Sequence, residues 1–341
     1  MESTSSCIHY TLFFLLFFTE QKCFCIIFAL NYSHRQQMAD FDINILGCGS
    51  ALPTTRHLAT SQIVDLRDKL YMIDCGEGTQ VQMRRMRVRF GRLAHIFISH
   101  LHGDHCFGLP GLISTLGMLG RTGELVVHGP KEVETYLRPV MDLFCRGMEF
   151  EVRFNPVDTR SHSLVMEDRS LSVYSIPLKH RIPTCGYLFA EKPKEAHIIR
   201  EMTDFYQVPV RCMKDIKQGQ DYVTPEGEVV PNSRLTRPAA PPKRYAFCSD
   251  TAYNRSIIPI IEGADLLYHE ATFAECDLAR AKETFHSTAR QAAEIARDAH
   301  VKRLVIGHYS ARYEDLSELH REAEAVFPGT ILGNEGTVIP V

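Results

Sequence analysis

His100-Leu101-His102-Gly103-Asp104-His105 places four metal-binding side chains in six residues, directly after the apolar run Ile96-Phe97-Ile98. In extended backbone, residues i, i+2 and i+4 share a face. His100, His102 and Asp104 can therefore enter one pocket, and His105 can turn towards a second ion. Gly103 lets the chain bend between them. Two imidazoles and a carboxylate suit a borderline divalent cation with open positions, as hydrolysis requires. A lone H-x-H is common in protein cores. The longer pattern at the exit of a strand is not, so we read it as a metal site.

The same local grammar recurs outward along the chain. Residues 41–46 alternate apolar and polar, the period of a half-buried strand, until Gly47-Cys48-Gly49-Ser50 breaks it. Short apolar runs end at Asp74, Asp250, His269 and His308. Helical patterns cover 77–90, 107–119 and 131–144. Further strands fit 171–176 and 186–190. Strand, polar exit and helix in turn describe an α/β fold that gathers its polar residues on one rim. Residues 191–243 differ. A helical stretch over 195–206 is followed by a hairpin turning at Pro225-Glu226-Gly227 and by the link Arg237-Pro238-Ala239-Ala240-Pro241-Pro242. We read this segment as an arm inserted between two core strands.

Composition narrows the class. The chain has 341 residues and a formal net charge of −3, so binding to a polyanion must rest on local patches. Arg84, Arg85, Arg87, Arg89 and Arg92 form one such patch, and Arg211, Lys214, Lys217, Arg234, Arg237, Lys243 and Arg244 enrich the arm. The 11 cysteines are scattered, with no C-x-x-C pair. Cys48, Cys75, Cys106 and Cys248 read as reduced and buried. Residues 1–37 do not match the remainder. Their apolar runs, 10–18 and 23–30, are shorter than the ~18–20 residues of a membrane span. They also lack the basic start of a signal peptide. We expect residues 1–37 to be a non-native or disordered extension, the working domain to be 38–341, and the protein to be cytoplasmic without a membrane anchor.

The H-x-H-x-D-H signature resembles that of metallo-β-lactamase-fold hydrolases, and other elements follow in order. Asp74 in Ile73-Asp74-Cys75-Gly76-Glu77-Gly78, His180 in Leu178-Lys179-His180-Arg181, Asp250 in Cys248-Ser249-Asp250-Thr251 and His308 in Ile306-Gly307-His308-Tyr309 are similar to further family motifs. Asp74-Cys75-Gly76-Glu77-Gly78-Thr79-Gln80, His269-Glu270-Ala271-Thr272, His286-Ser287-Thr288 and His308-Tyr309-Ser310-Ala311-Arg312-Tyr313 narrow the resemblance to the ribonuclease Z family, short form, over residues 40–341.

That resemblance implies a four-layer αββα sandwich with a flexible exosite arm, at about 191–243. It implies two Zn2+ per subunit, with Mn2+ or Fe2+ as alternatives: His100, His102 and His180 on one ion, Asp104, His105 and His308 on the other, and Asp250 between them. The implied activity is endonucleolytic removal of the 3′ trailer from precursor tRNA, with metal-activated water as nucleophile and a 3′-hydroxyl left on the tRNA. Asp104 would orient the nucleophile or accept its proton, and His269 would protonate the departing oxygen. Asp74 would fix a ligand imidazole, while His286, Ser287, Thr288 and Arg312 would contact substrate. Thr288-x-x-Gln291 also has the spacing of a capping box. The family further implies a homodimer. At the arm's tip the Gly-Pro motif and Gly-Lys-Leu pattern that many bacterial members of the family carry are replaced by Val208-Pro209-Val210-Arg211-Cys212-Met213-Lys214. The alternative is another phosphodiesterase or small-substrate hydrolase of the same fold, for which the arm and the arginine run would have no use.

Overall fold

The computed structural model describes residues 40–52 and 54–341, so the expectation for residues 1–37 lies outside them. The first half runs through β1 (Phe41–Gly47), β2 (Ser61–Leu66), β3 (Lys69–Ile73), β4 (Leu93–Phe97), β5 (Leu125–Gly129) and β6 (Val152–Pro156). β7 (Leu164–Glu167), β8 (Leu171–Pro177) and β9 (Cys185–Glu191) lead to the arm. The arm holds β10 (His197–Ile198), β11 (Tyr222–Val223), β12 (Val229–Val230) and β13 (Thr236–Arg237). The core resumes with β14 (Arg244–Cys248), β15 (Leu266–Glu270), β16 (Leu304–Gly307), β17 (Ile331–Leu332) and β18 (Val338–Pro340).

Two seven-stranded sheets result, in the orders β18-β1-β2-β3-β4-β5-β6 and β17-β16-β15-β14-β9-β8-β7. Strand alternation explains the layers. In β3, Tyr71 and Ile73 enter the core between the sheets, whereas Leu70 and Met72 face the helices outside. Both faces are buried, so the strand reads as a continuous apolar run. The helices Leu109–Met118 and Glu132–Phe144 cover the first sheet. The second is covered by Ala289–Asp298, whose buried Ala289, Ala292, Ala293 and Ala296 allow close approach. Thr288 and Gln291 do form a capping box at its start. Helix, sheet, sheet and helix make the expected αββα sandwich. Among the described residues, no helix is long and apolar enough to cross a membrane. Cys48, Cys75, Cys106 and Cys248 are buried, and among the described residues they form no disulfide.

β3, β4, β5 and β6 run parallel, as do β14, β15, β16 and β17. Asp74, Ser99–His100, Asp250, Glu270 and His308 lie at or just past their carboxyl ends, where α/β sheets build sites. The sheets are tied beneath this rim by Tyr187, whose hydroxyl donates to the Ile98 carbonyl at 2.7 Å.

The arm has an apolar core of its own, formed by Val208, Ile216, Tyr222, Val230 and Leu235. Its first helix is Arg200–Phe205, shorter than expected, because His197–Ile198 is taken up in pairing with Thr236–Arg237. The expected hairpin is present as β11 and β12. At the root, the Glu191 amide donates to the Lys243 carbonyl at 2.9 Å and the Lys243 amide to Glu191 Oε2 at 3.1 Å. Arg67 and Lys194 neutralise the same buried carboxylate.

Candidate metal centre

The helix Gly103–Cys106 begins immediately after His102, so extended backbone carries His100 and His102 and the first helical turn carries Asp104 and His105. This change of geometry sends the motif in two directions. One nitrogen or oxygen each of His100, His102, His180 and Asp250 lie within 4.8 Å of one another. So do those of Asp104, His105 and His308. Asp250 faces both groups. Its Oδ2 lies 3.5 Å from His100 Nε2 and 3.7 Å from His180 Nε2, while its Oδ1 lies 3.3 Å from His105 Nε2 and 3.1 Å from His308 Nε2. The structure thus brings together all seven residues expected to hold metal.

Divalent cations fit this donor set. Among the described residues, the Nε2 atoms of His105 and His308 are buried without a hydrogen-bond partner. His102 Nδ1 stands 3.0 Å from His100 Nε2 and 3.2 Å from His180 Nε2. Three imidazole nitrogens converging on one point suit a shared cation far better than one another. Burial pushes His100 down to about 3, so it stays neutral, the form that ligates. For Asp250 burial opposes ionisation, but His308, His105 and His100 outweigh it and hold the carboxyl well below its usual range. Asp104 is lowered in the same way, burial being overcome by His105 and His308.

The supporting contacts orient the rings. Asp74 adopts a left-handed conformation, φ +54°, and its Oδ2 accepts from His105 Nδ1 at 2.7 Å. Its two oxygens also accept from the amide and hydroxyl of Ser99. His180 Nδ1 donates to the Phe285 carbonyl at 3.0 Å, which directs Nε2 into the site.

Several expected contacts fall elsewhere. His269 is fully buried, does not line the cavity, and has Nδ1 against the Glu270 carbonyl at 2.7 Å. Strand alternation accounts for this: in β15, Glu270 points to the site, so its neighbour His269 points away. Ser287 and Thr288 are also buried. The Ser287 hydroxyl donates to the Thr251 carbonyl, and the Thr288 hydroxyl donates to Glu275 while accepting from the Gln291 amide. Neither lines the cavity. Arg312 does, but Asp277 binds it at 3.0 Å and its guanidinium lies 5.1 Å from the Phe273 ring centroid.

The histidine that reaches the cavity from this region is His286. Its Nδ1 donates to Glu270 Oε1 at 2.9 Å. Burial pulls the imidazole pKa down, but the Glu270 carboxylate more than offsets this and raises it to about 9. Glu270 also accepts from the amides of Thr251, Thr272 and Ser287 and the hydroxyl of Thr272. Glu270 was missed in the sequence, although period-two alternation next to a buried histidine was a usable signal. A second missed residue is Glu335, which accepts from the Leu58 amide at 2.7 Å and meets His57 Nδ1 at 3.0 Å. It pins His57 and Leu58, on one wall of the cavity, and no local pattern links positions so distant in sequence. The cavity above the histidine and aspartate clusters measures about 840 Å³ and is also lined by Leu52, Phe107, Arg181 and Arg280.

A family model described as "Anti-Pycsar protein Apyc1" matches residues 41–131, less than half of the chain. The ribonuclease Z of Parabacteroides distasonis is 82% identical over 304 residues, covering 89% of this chain and 100% of that relative. The ribonuclease Z of Bacteroides fragilis is 63% identical over 302 residues, covering 89% and 99%. Among solved structures, the short form of human tRNase Z superimposes with a TM-score of 0.64 at 25% identity, covering 88% of this chain and 100% of that one.

Proposed function

The chain belongs to the ribonuclease Z family, and we propose that it is a metal-dependent endoribonuclease that removes the 3′ trailer from precursor tRNA. The observation that carries this reading is Asp250, one carboxylate with an oxygen turned to each of two histidine clusters at the floor of one cavity. His100, His102 and His180 would hold one ion, Asp104, His105 and His308 the other, with Asp250 shared. Zinc is the ion that this nitrogen-rich set favours. When bound, such a pair activates water near neutral pH and offsets the charge that builds on the phosphoryl oxygens.

The chain's own groups would do the rest. Asp74 fixes His105 so that Nε2 faces the site. Asp104 sits where it can orient the attacking water or take its proton. His286 holds a proton on the imidazole, with Glu270 behind it, and would deliver one to the departing ribose 3′-oxygen. We assign to His286 the acid role first expected of His269. Arg181 lines the cavity and, among the described residues, its guanidinium has only the Glu283 carbonyl as a hydrogen-bond partner, so its charge would be open to a substrate phosphate. The arm would grip the tRNA body away from the cut. Exposed Arg84, Arg85 and Arg87 would add positive surface, whereas Arg89 and Arg92 are engaged by Asp68.

The working unit would be a homodimer acting in the cytoplasm, where precursor tRNA is made. Exposed Met118, Leu119, Leu143 and Phe144 support the dimer. They end two helices that each follow a parallel strand, so they gather at one end of the same layer.

The ends of the products test the reaction. Purified protein with a trailer-bearing precursor tRNA should give a tRNA ending in a 3′-hydroxyl and a trailer starting with a 5′-phosphate. A 2′,3′-cyclic phosphate on the tRNA would contradict it, because that product needs the substrate's own 2′-hydroxyl as nucleophile.

A further inference from the structure

Phe107 is an apolar residue in an expensive place. It is 59% exposed, although it follows the ligand motif directly and lines the cavity. Its ring lies over Gly103, where a Cβ would meet ring carbon Cε2 at 2.3 Å. Gly103 separates His102 from Asp104, so the ring covers the backbone between the two clusters. The platform is held firmly. The Phe107 amide donates to the Gly103 carbonyl at 2.8 Å and the Gly108 amide to Cys75 at 2.8 Å. Leu52, 69% exposed, lines the same cavity.

Large exposed apolar side chains inside a concave site mark a ligand surface. The ligand here is constrained by its neighbours. A phosphodiester at the clusters carries a nucleoside on each side, and Arg181 offers a cation to the backbone from the same cavity. An aromatic face beside a phosphate site suits a nucleobase, and every base has a π face to stack. A base can lie flat on Phe107 only if it is unpaired.

We propose that Phe107, flanked by Leu52, is a stacking subsite for the unpaired base of a nucleotide adjoining the scissile phosphate. This rests on the tRNA reading above. The subsite would favour cleavage within single-stranded RNA while tolerating any base.

The test is a coupling cycle between protein and substrate. Precursor tRNAs carry either a base or an abasic site at the nucleotide on each side of the cut. The wild type, Phe107→Ala, Phe107→Leu and Phe107→Tyr are compared for kcat/KM. An abasic site on one side should cost the wild type about tenfold, mainly in KM. Phe107→Ala should lose about as much on the intact substrate and then be indifferent to the abasic site. Phe107→Leu, which keeps an apolar cover over Gly103 without a ring, should behave likewise, and Phe107→Tyr should regain the sensitivity. Equal abasic penalties in the wild type and Phe107→Ala on both sides would overturn the subsite. A dimer that falls apart in Phe107→Ala would also overturn it, since the ring would then serve a second copy of the chain. A wild type that cleaves its small phosphodiesters but no precursor tRNA would instead overturn the functional reading beneath it.

Discussion

Glu270 joins the two ends of the site, because its oxygens bind His286 on one side and the backbone of Thr251, Thr272 and Ser287 on the other. Glu270→Gln removes the charge that keeps His286 protonated. The kcat for precursor tRNA should fall by about 100-fold or more with metal content unchanged, measured by single-turnover kinetics and elemental analysis. A second residue gives a pH effect unrelated to catalysis. Asp42 is raised to about 6 by burial, then by Asp65 across the sheet, against the pull of Lys243. The folded state therefore holds this proton more tightly than the unfolded chain, whose value is 3.8. Stability falls as pH rises from about 4 through about 6. Asp42→Asn should gain up to about 3 kcal/mol at neutral pH and nothing below about pH 4, as read from denaturation curves across pH. At this scale the contiguous ligand motif was legible because its spacing is local. His269 was not, because adjacent residues of a strand face opposite ways and the motif does not say which faces the site. The capping box of Thr288 and Gln291 was legible from its spacing, whereas the bond of the Ser287 hydroxyl to the Thr251 carbonyl joins segments too distant in sequence to be read.

The arm is the element that separates this chain from a bare sandwich. The break in pattern and the proline-rich link set off 191–243 in the sequence, and the segment between β9 and β14 has an apolar core of its own. Its interior was only partly so. The elements there span two to six residues, too short for a hydrophobic period, and their core forms between segments distant in sequence. Glu191 and Lys243 bring both ends of the arm together on adjacent strands, so removing 195–242 leaves β9 and β14 paired. That deletion should cut kcat/KM on precursor tRNA far more than on bis(p-nitrophenyl) phosphate. Equal losses on the two substrates would show that the arm serves the fold alone. At its root, Glu191→Ala removes the buried carboxylate that Arg67 and Lys194 share, leaving Lys194 with Asp40, and should lower unfolding free energy by about 2 kcal/mol.

At the scale of the whole molecule, parallel strands in both sheets deliver their carboxyl ends to one rim, and the seven residues expected to hold metal meet there from four separate segments. The order of strand, polar exit and helix made that architecture legible without any contact information. The surface was less so, because exposure of Met118, Leu119, Leu143 and Phe144 depends on which helix ends lie at the same end of a layer. If they form the dimer face, Met118→Glu with Phe144→Glu should halve the mass measured by light scattering. The central claim is that the centre Asp250 would share between two ions cuts precursor tRNA. Cleavage of a trailer-bearing precursor, mapped at single-nucleotide resolution with and without a chelator, tests it most directly. The expected result is one cut next to the discriminator base, lost with chelator and restored by added zinc. Cutting that ignores the chelator, or no cut by protein shown to hold its metals, would contradict it.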